Sequence, residues 1–169
     1  MRKEGGDVAV DQPEVATVVE REVRIAARPE TVFEFFTNPE KMVLWKGREA
    51  DLDPQPGGIY RVEMGDRIIA RGEYVEIDRP SRVVFTWGWE GQESSGPHGV
   101  PPGSSRVEVT LEPDGDGTLV RLRHLDLPQE ARQIHGEGWD LYLGRLVVAA
   151  TGGDPGIDPA GVQQADKEE

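Results

Sequence analysis

From Glu49 to Asp126 the hydrophobic pattern repeats at two residues, and from Pro128 to about Ala150 it repeats at three and four. That change of period dictates the fold class. Alternation makes a half-buried strand, whereas spacings of three and four make an amphipathic helix. Turn chemistry cuts the alternating part at Pro56-Gly57-Gly58, Gly65-Asp66, Asp78-Arg79-Pro80 and Asp114-Gly115-Asp116-Gly117. Strands are left at 49–53, 58–64, 67–78, 82–90, 105–112 and 118–126. Upstream, 17–26 (TVVEREVRIA) is a further strand, β-branched and alternating. Pro29 and Glu30 then open a short helix, because proline suits the first helical turn and an acid suits its dipole. Asn38-Pro39 ends it, and 40–45 form a second helical turn.

The expected architecture is α+β: a curved antiparallel sheet of six to seven strands wrapped around one long C-terminal helix, with two short helices after the first strand. Alternation assigns the faces. Tyr60, Val62 and Met64 share one side of their strand, and Val83, Phe85, Trp87 and Trp89 one side of theirs. Val120, Leu122 and His124 oppose Arg121 and Arg123. On the helix, Trp139, Tyr142, Leu143, Leu146 and Ala150 make one apolar stripe. Gly136 and Gly138 interrupt it at up to ~1 kcal/mol each relative to alanine, which points to a bent first turn or a close approach to the sheet.

Composition excludes several function classes. The chain carries 19 Lys and Arg against 32 Asp and Glu, a net charge of −13. Such a chain does not suit nucleic-acid binding or anionic lipid surfaces, both of which select basic faces. It has no cysteine, so disulfides, thiolate metal sites and cysteine nucleophiles are out. No apolar run approaches the ~20 residues of a membrane span, and the first eleven residues lack a signal-peptide core. A soluble, cytoplasmic protein without membrane insertion is expected. Residues 1–14 and 152–169 are acidic, poor in large apolar side chains and, in the second case, rich in Gly and Pro. Both are expected to be disordered, leaving a ligand-binding domain over 15–151.

Four segments in order carry a family resemblance: EREVRIAARPETVFEFFTNPEKMVLW (20–45), GEYVEIDRPSRVVFTWGWEG (72–91), VPPGSSRVEVTLEPDGDGTLVRLRHLDLP (100–128) and HGEGWDLYLGRLVVAATG (135–152). The chain resembles the START-related, helix-grip superfamily of birch-pollen-allergen-like proteins, polyketide cyclases and lipid-transfer domains. Within it, the branch named after the activator of the Hsp90 ATPase is the nearest in pattern, through TWGWE and the His…GW…L..L helix. Lys46 departs from that pattern, standing where many relatives carry another aromatic or a small residue, and so bears on the pocket mouth. The resemblance implies a cavity between sheet and C-terminal helix that holds a hydrophobic small molecule. A sheet gripping one helix leaves room for a pocket on physical grounds too.

The candidate ligand-binding residues are Trp45, Tyr60, Tyr74, Trp87, Trp89, His124, Trp139 and Tyr142. Indole and phenol rings offer flat apolar area with one polar handle, and the plainer alternative is that they fill a core poor in Leu and Ile. His124 is the candidate acid–base residue, against the commoner role of a structural hydrogen-bonder. His135 reads as exposed at the helix start, and His98 lies in a loop. The three histidines lack metal-ligand spacing, and Asp114–Thr118 lacks the twelfth-position glutamate of a calcium loop, where Leu125 stands. No metal and no cofactor are expected. Glu63, Glu73 and Glu76 are carboxylates that burial would turn into bases. The 91–104 segment is long enough to cover a pocket entrance or simply to be a surface excursion.

Three functions follow. The first is non-catalytic binding of a hydrophobic or aromatic small molecule. The second is a cyclase or dehydratase using the same cavity, which needs a shaped pocket and one acid–base group. The third, co-chaperone contact, rests on the family name alone, and a chaperone partner is not expected. A homodimer through paired helices or exposed strands is compatible with the pattern.

Overall fold

The computed structural model of the protein describes residues 18–91 and 99–160. In chain order the elements are β1 (Val18–Ile25), α1 (Pro29–Thr37), α2 (Pro39–Met42), β2 (Glu49–Leu52), β3 (Ile59–Gly65), β4 (Ile68–Asp78), β5 (Arg82–Trp87), β6 (Ser105–Asp114), β7 (Gly117–Leu125) and α3 (Gln129–Ala150). The seven strands form one antiparallel sheet in the order β1-β7-β6-β5-β4-β3-β2. This is the α+β design that the change of period predicts and the helix-grip fold that the resemblance implies.

Register turns the alternation into rows. Val19 lies opposite His124, His124 opposite Val107, and Val107 opposite Phe85. One step along, Trp87 faces Ser105. These side chains are buried, while Glu20, Arg123 and Arg121 of the same strands point outward and pair with opposite charges. The outward charges bound an open groove of about 380 Å³ lined by Glu20, Arg21, Glu22, Arg121, Leu122 and Arg123. It is a seam in an ion-pair lattice, with Arg121–Glu22 at 2.7 Å and Arg123–Glu20 at 3.1 Å. Exposed pairs of this kind are worth at most about 1 kcal/mol each.

Three local features shape the inner face. β5 stops at Trp87 rather than running to Glu90, and at Gly88 the chain passes so close to Pro101 that a Cβ would stand 1.8 Å from its carbonyl oxygen. Trp89 therefore leaves the strand but still bridges to Ala70 on β4. Gly136 is the close approach foreseen for the helix: a Cβ there would lie 2.6 Å from the Arg21 guanidinium on β1. Gly138 has open space instead. Finally, Asn38 ends α1 and caps α2, accepting the Glu40 N–H at 2.9 Å.

Past residue 151 the chain keeps contact with the domain. Residues 152–160 fold back toward the body of the domain, held by two buried ionic side chains. Arg145 of α3 donates to the carbonyls of Trp45, Pro155, Gly156 and Ile157 at 2.8–3.4 Å. Asp158 accepts from the Gly47 N–H, the Tyr142 hydroxyl and the Ala160 N–H at 2.7–2.8 Å. Hydrogen bonding to charged groups, rather than apolar burial, orders this stretch, so hydropathy could not reveal it. The expectations for 1–14, for residues 161–169, and for most of the 91–104 loop with His98 concern residues outside those described. No helix among the described residues is long and apolar enough to cross a membrane.

Candidate functional site

Lys46 sits between α2 and β2, just before Gly47, whose φ of +82° turns the chain and whose missing Cβ lets it pass Val62. The turn sends the Lys46 side chain inward until only 3% of it remains exposed. Its ammonium lies over ring faces: 4.3 Å from the centre of Trp139, and 5.7 Å from those of Trp87 and Tyr142. Burial lowers its pKa to about 8, against a smaller upward pull from the Asp158 carboxylate.

Around that cation the rings of β5, β7 and α3 meet edge to face. Trp87 stands 4.8 Å from Trp89, 5.0 Å from His124 and 5.4 Å from His135. The hydrogen bonds among them have a definite direction. An indole N–H only donates, so Trp139 Nε1–H at 3.0 Å makes His124 Nδ1 the acceptor. The neutral His124 ring then carries its proton on Nε2 and donates to Ser105 Oγ at 2.8 Å. Ser105 in turn donates to the Trp87 carbonyl. By the same logic Trp89 Nε1–H donates to His135 Nε2, and His135 Nδ1–H donates to the Ala131 carbonyl. Two neutral imidazoles result. Burial pushes the His124 pKa down to about 3, with His135 once protonated and the Lys46 ammonium acting in the same direction. Burial also lowers that of His135, the Ala131 bond opposing. The candidate acid–base residue is thus locked, proton in place, between two partners.

The sequence-derived candidates separate into two groups. Trp87, Trp139 and Tyr142 meet Lys46, and Trp89 and His124 pack against Trp87. Trp45, Tyr60 and Tyr74 lie in a second aromatic cluster instead, where Tyr60 stacks on Phe85 at 4.1 Å and Trp45 meets Phe36 edge-on at 5.4 Å. There the polar handles close on α1: Trp45 Nε1–H on the Phe35 carbonyl and the Tyr74 hydroxyl on the Phe36 carbonyl. Burial raises the pKa of Tyr60 and Tyr74. Glu63, Glu73 and Glu76 are not buried, and no group of three or more His, Cys, Asp or Glu among the described residues is arranged to hold a metal. His135, expected to be exposed, is half-buried in the cluster. Ser105, Arg145 and Asp158 have no motif, although Asp158-Pro159 has the form of a helix-capping pair.

The matched family model covers residues 26–151, described as activator of Hsp90 ATPase homolog 1-like protein. The chain belongs to this family. An AHSA1-like protein from Rhizobium etli, solved in solution, is 46% identical with a TM-score of 0.65, covering 84% of this chain and 86% of that one. DynU16, from the dynemicin biosynthetic locus, is 23% identical with a TM-score of 0.69; the match covers 82% of this chain but 49% of DynU16. An Hsp90 activator from Plasmodium falciparum is 23% identical with a TM-score of 0.61, covering 77% of this chain and 93% of its own. The last two likenesses are of fold alone. No curated protein matches the sequence significantly. Within the AHSA1-like fold, the Lys46 cluster occupies the inner face of the sheet beside α3.

That placement sets the C-terminal segment against the cluster, because Asp158 accepts from the Tyr142 hydroxyl and the Gly47 N–H. Arg145→Met leaves the Trp45 carbonyl without its donor, while the carbonyls of 155–157 can turn to water. The expected result is local release of 153–160 at a cost of about 2 kcal/mol. Amide exchange at Gly47, which donates to Asp158, reads this directly. Protection there equal to wild type would show that Arg145 does not tether the segment.

Proposed function

We propose that this AHSA1-like protein binds a flat hydrophobic small molecule between the inner face of the sheet and α3, at the Trp87, Trp89, Trp139 and Tyr142 rings. The observation that carries this reading is the Trp87 indole nitrogen, which is buried with no hydrogen-bond partner among the described residues. An unmet donor costs about 1–3 kcal/mol, and here it stands beside two imidazoles and a serine hydroxyl whose polar atoms are all engaged. The ring faces supply apolar area for a planar guest. Binding is favoured over turnover because His124, the residue a cyclase-type reaction would draw on, has both nitrogens engaged.

The test uses N-phenyl-1-naphthylamine and the indole N–H signals of the ¹⁵N-labelled protein. Uptake is expected to move the signals of Trp87, Trp89 and Trp139 and to leave that of Trp45, which is tied to Phe35. Absence of uptake, or shifts confined to Trp45, would exclude the proposed place of binding.

A further inference from the structure

The site is short of acceptors. His124 Nδ1 is used by Trp139, His135 Nε2 by Trp89, and the Ser105 hydroxyl both accepts from His124 and donates to Trp87. The Asp158 oxygens are taken by Gly47, Tyr142 and Ala160. Two donors are left over: the Trp87 indole N–H and the Lys46 ammonium, whose contacts are ring faces. Among the described residues Lys46 has no carboxylate within salt-bridge distance, as the ion pairs of the fold all involve arginine. A buried cation is ordinarily paired, because leaving water costs several kcal/mol, and ring faces return only about 1–2 kcal/mol of that.

Resting on the binding reading above, we infer that the ligand is a flat apolar acid whose carboxylate is received by the Lys46 ammonium and the Trp87 indole N–H. A carboxylate brings two acceptor oxygens to two surplus donors and a negative charge to an unpaired positive one. The apolar remainder lies against the indole faces. The net charge of −13 argues against a generic attraction for anions, so recognition falls to this one cation.

The probes are 2-naphthoate and its uncharged analogue methyl 2-naphthoate, with affinities measured by calorimetry at pH 7. Wild type is expected to favour the acid by roughly tenfold or more, the worth of one charge-assisted hydrogen bond. Lys46→Met is expected to abolish that preference while still binding the ester. Trp87→Phe keeps an aromatic ring but loses the N–H, and is expected to weaken the acid by about tenfold and the ester by less. In wild type the Trp87 indole proton moves further downfield with the acid than with the ester, whose neutral carbonyl is the weaker acceptor.

The preference is also expected to fade above about pH 8, where Lys46 discharges. The groups facing it do not mimic this change. His124 on β7 and His135 on α3 are already neutral, and burial with Asp158 holds the Tyr142 phenol above its usual range. Equal affinity for acid and ester, or a preference that survives in Lys46→Met, overturns the carboxylate inference while leaving apolar binding intact. Uptake of neither probe overturns both. An acid preference lost in Lys46→Met but unchanged in Trp87→Phe removes the indole from the proposal, which then fails as stated.

Discussion

Acidification from pH 7 to 4.5 is expected to destabilise the fold by about 3 kcal/mol through His124 alone. In the unfolded chain this imidazole titrates near 6.5, whereas in the fold burial, with His135 once protonated and the Lys46 ammonium acting in the same direction, holds it near 3. Between those values the unfolded chain binds a proton that the native state refuses, so the stability is fully present above pH 6.5 and is lost as pH falls toward 3. Protonation would also set an N–H on Nδ1 against the donating Trp139 indole. Urea unfolding at several pH values measures the slope. His124→Gln keeps a donor and an acceptor but removes the titration, and is expected to flatten the curve between pH 6.5 and 4.5. If wild type and variant lose stability in parallel over that range, His124 is not the acid-sensitive element.

Lys46→Met is expected to stabilise the protein at pH 7 by about 2 kcal/mol. The folded pKa of about 8 lies below the unfolded value of 10.5. Below pH 8 the fold therefore carries the whole cost of a buried charge, about 3 kcal/mol. Methionine fills similar space without that cost, and loss of the ring–cation contacts takes back about 1 kcal/mol. Wild-type stability should climb between pH 8 and 10.5 as the amine discharges in the fold first, so the advantage of the variant shrinks over that window. Chemical denaturation at pH 7 and pH 10 tests both halves. A variant less stable than wild type at pH 7 would mean that the ammonium is supporting the fold. A residue whose removal stabilises the fold is one whose presence is explained by function rather than by packing.

How far this site could be read in advance varies residue by residue. Trp87 and His124 were placed on the inner face by alternation, and Trp139 and Tyr142 on one stripe by helical spacing, because those periods belong to the backbone itself. Lys46 stood out only as a departure next to Trp45. Nothing local says that it is buried, since the turn at Gly47 and the α3 rings that cover it come from distant parts of the chain. The aromatic candidates could not be sorted in advance for the same reason: Tyr60 and Trp87 both alternate correctly, yet one stacks on Phe85 and the other has an N–H without a partner among the described residues. Asp158 lay hidden in a segment rich in Gly, Pro and acid, where composition speaks of disorder and the ordering contacts come from Gly47 and Tyr142.

The amino-acid sequence by itself determined most of each strand, the long helix, the antiparallel order of the meander and the faces of the side chains within the strands. These follow from short-range periodicity and turn chemistry, which act over a few residues. Tertiary structure alone decided which donors and acceptors meet, that both imidazoles are neutral, and that one lysine is buried among rings. Pairing and desolvation depend on groups 15 to more than 100 positions apart, and no local pattern records them.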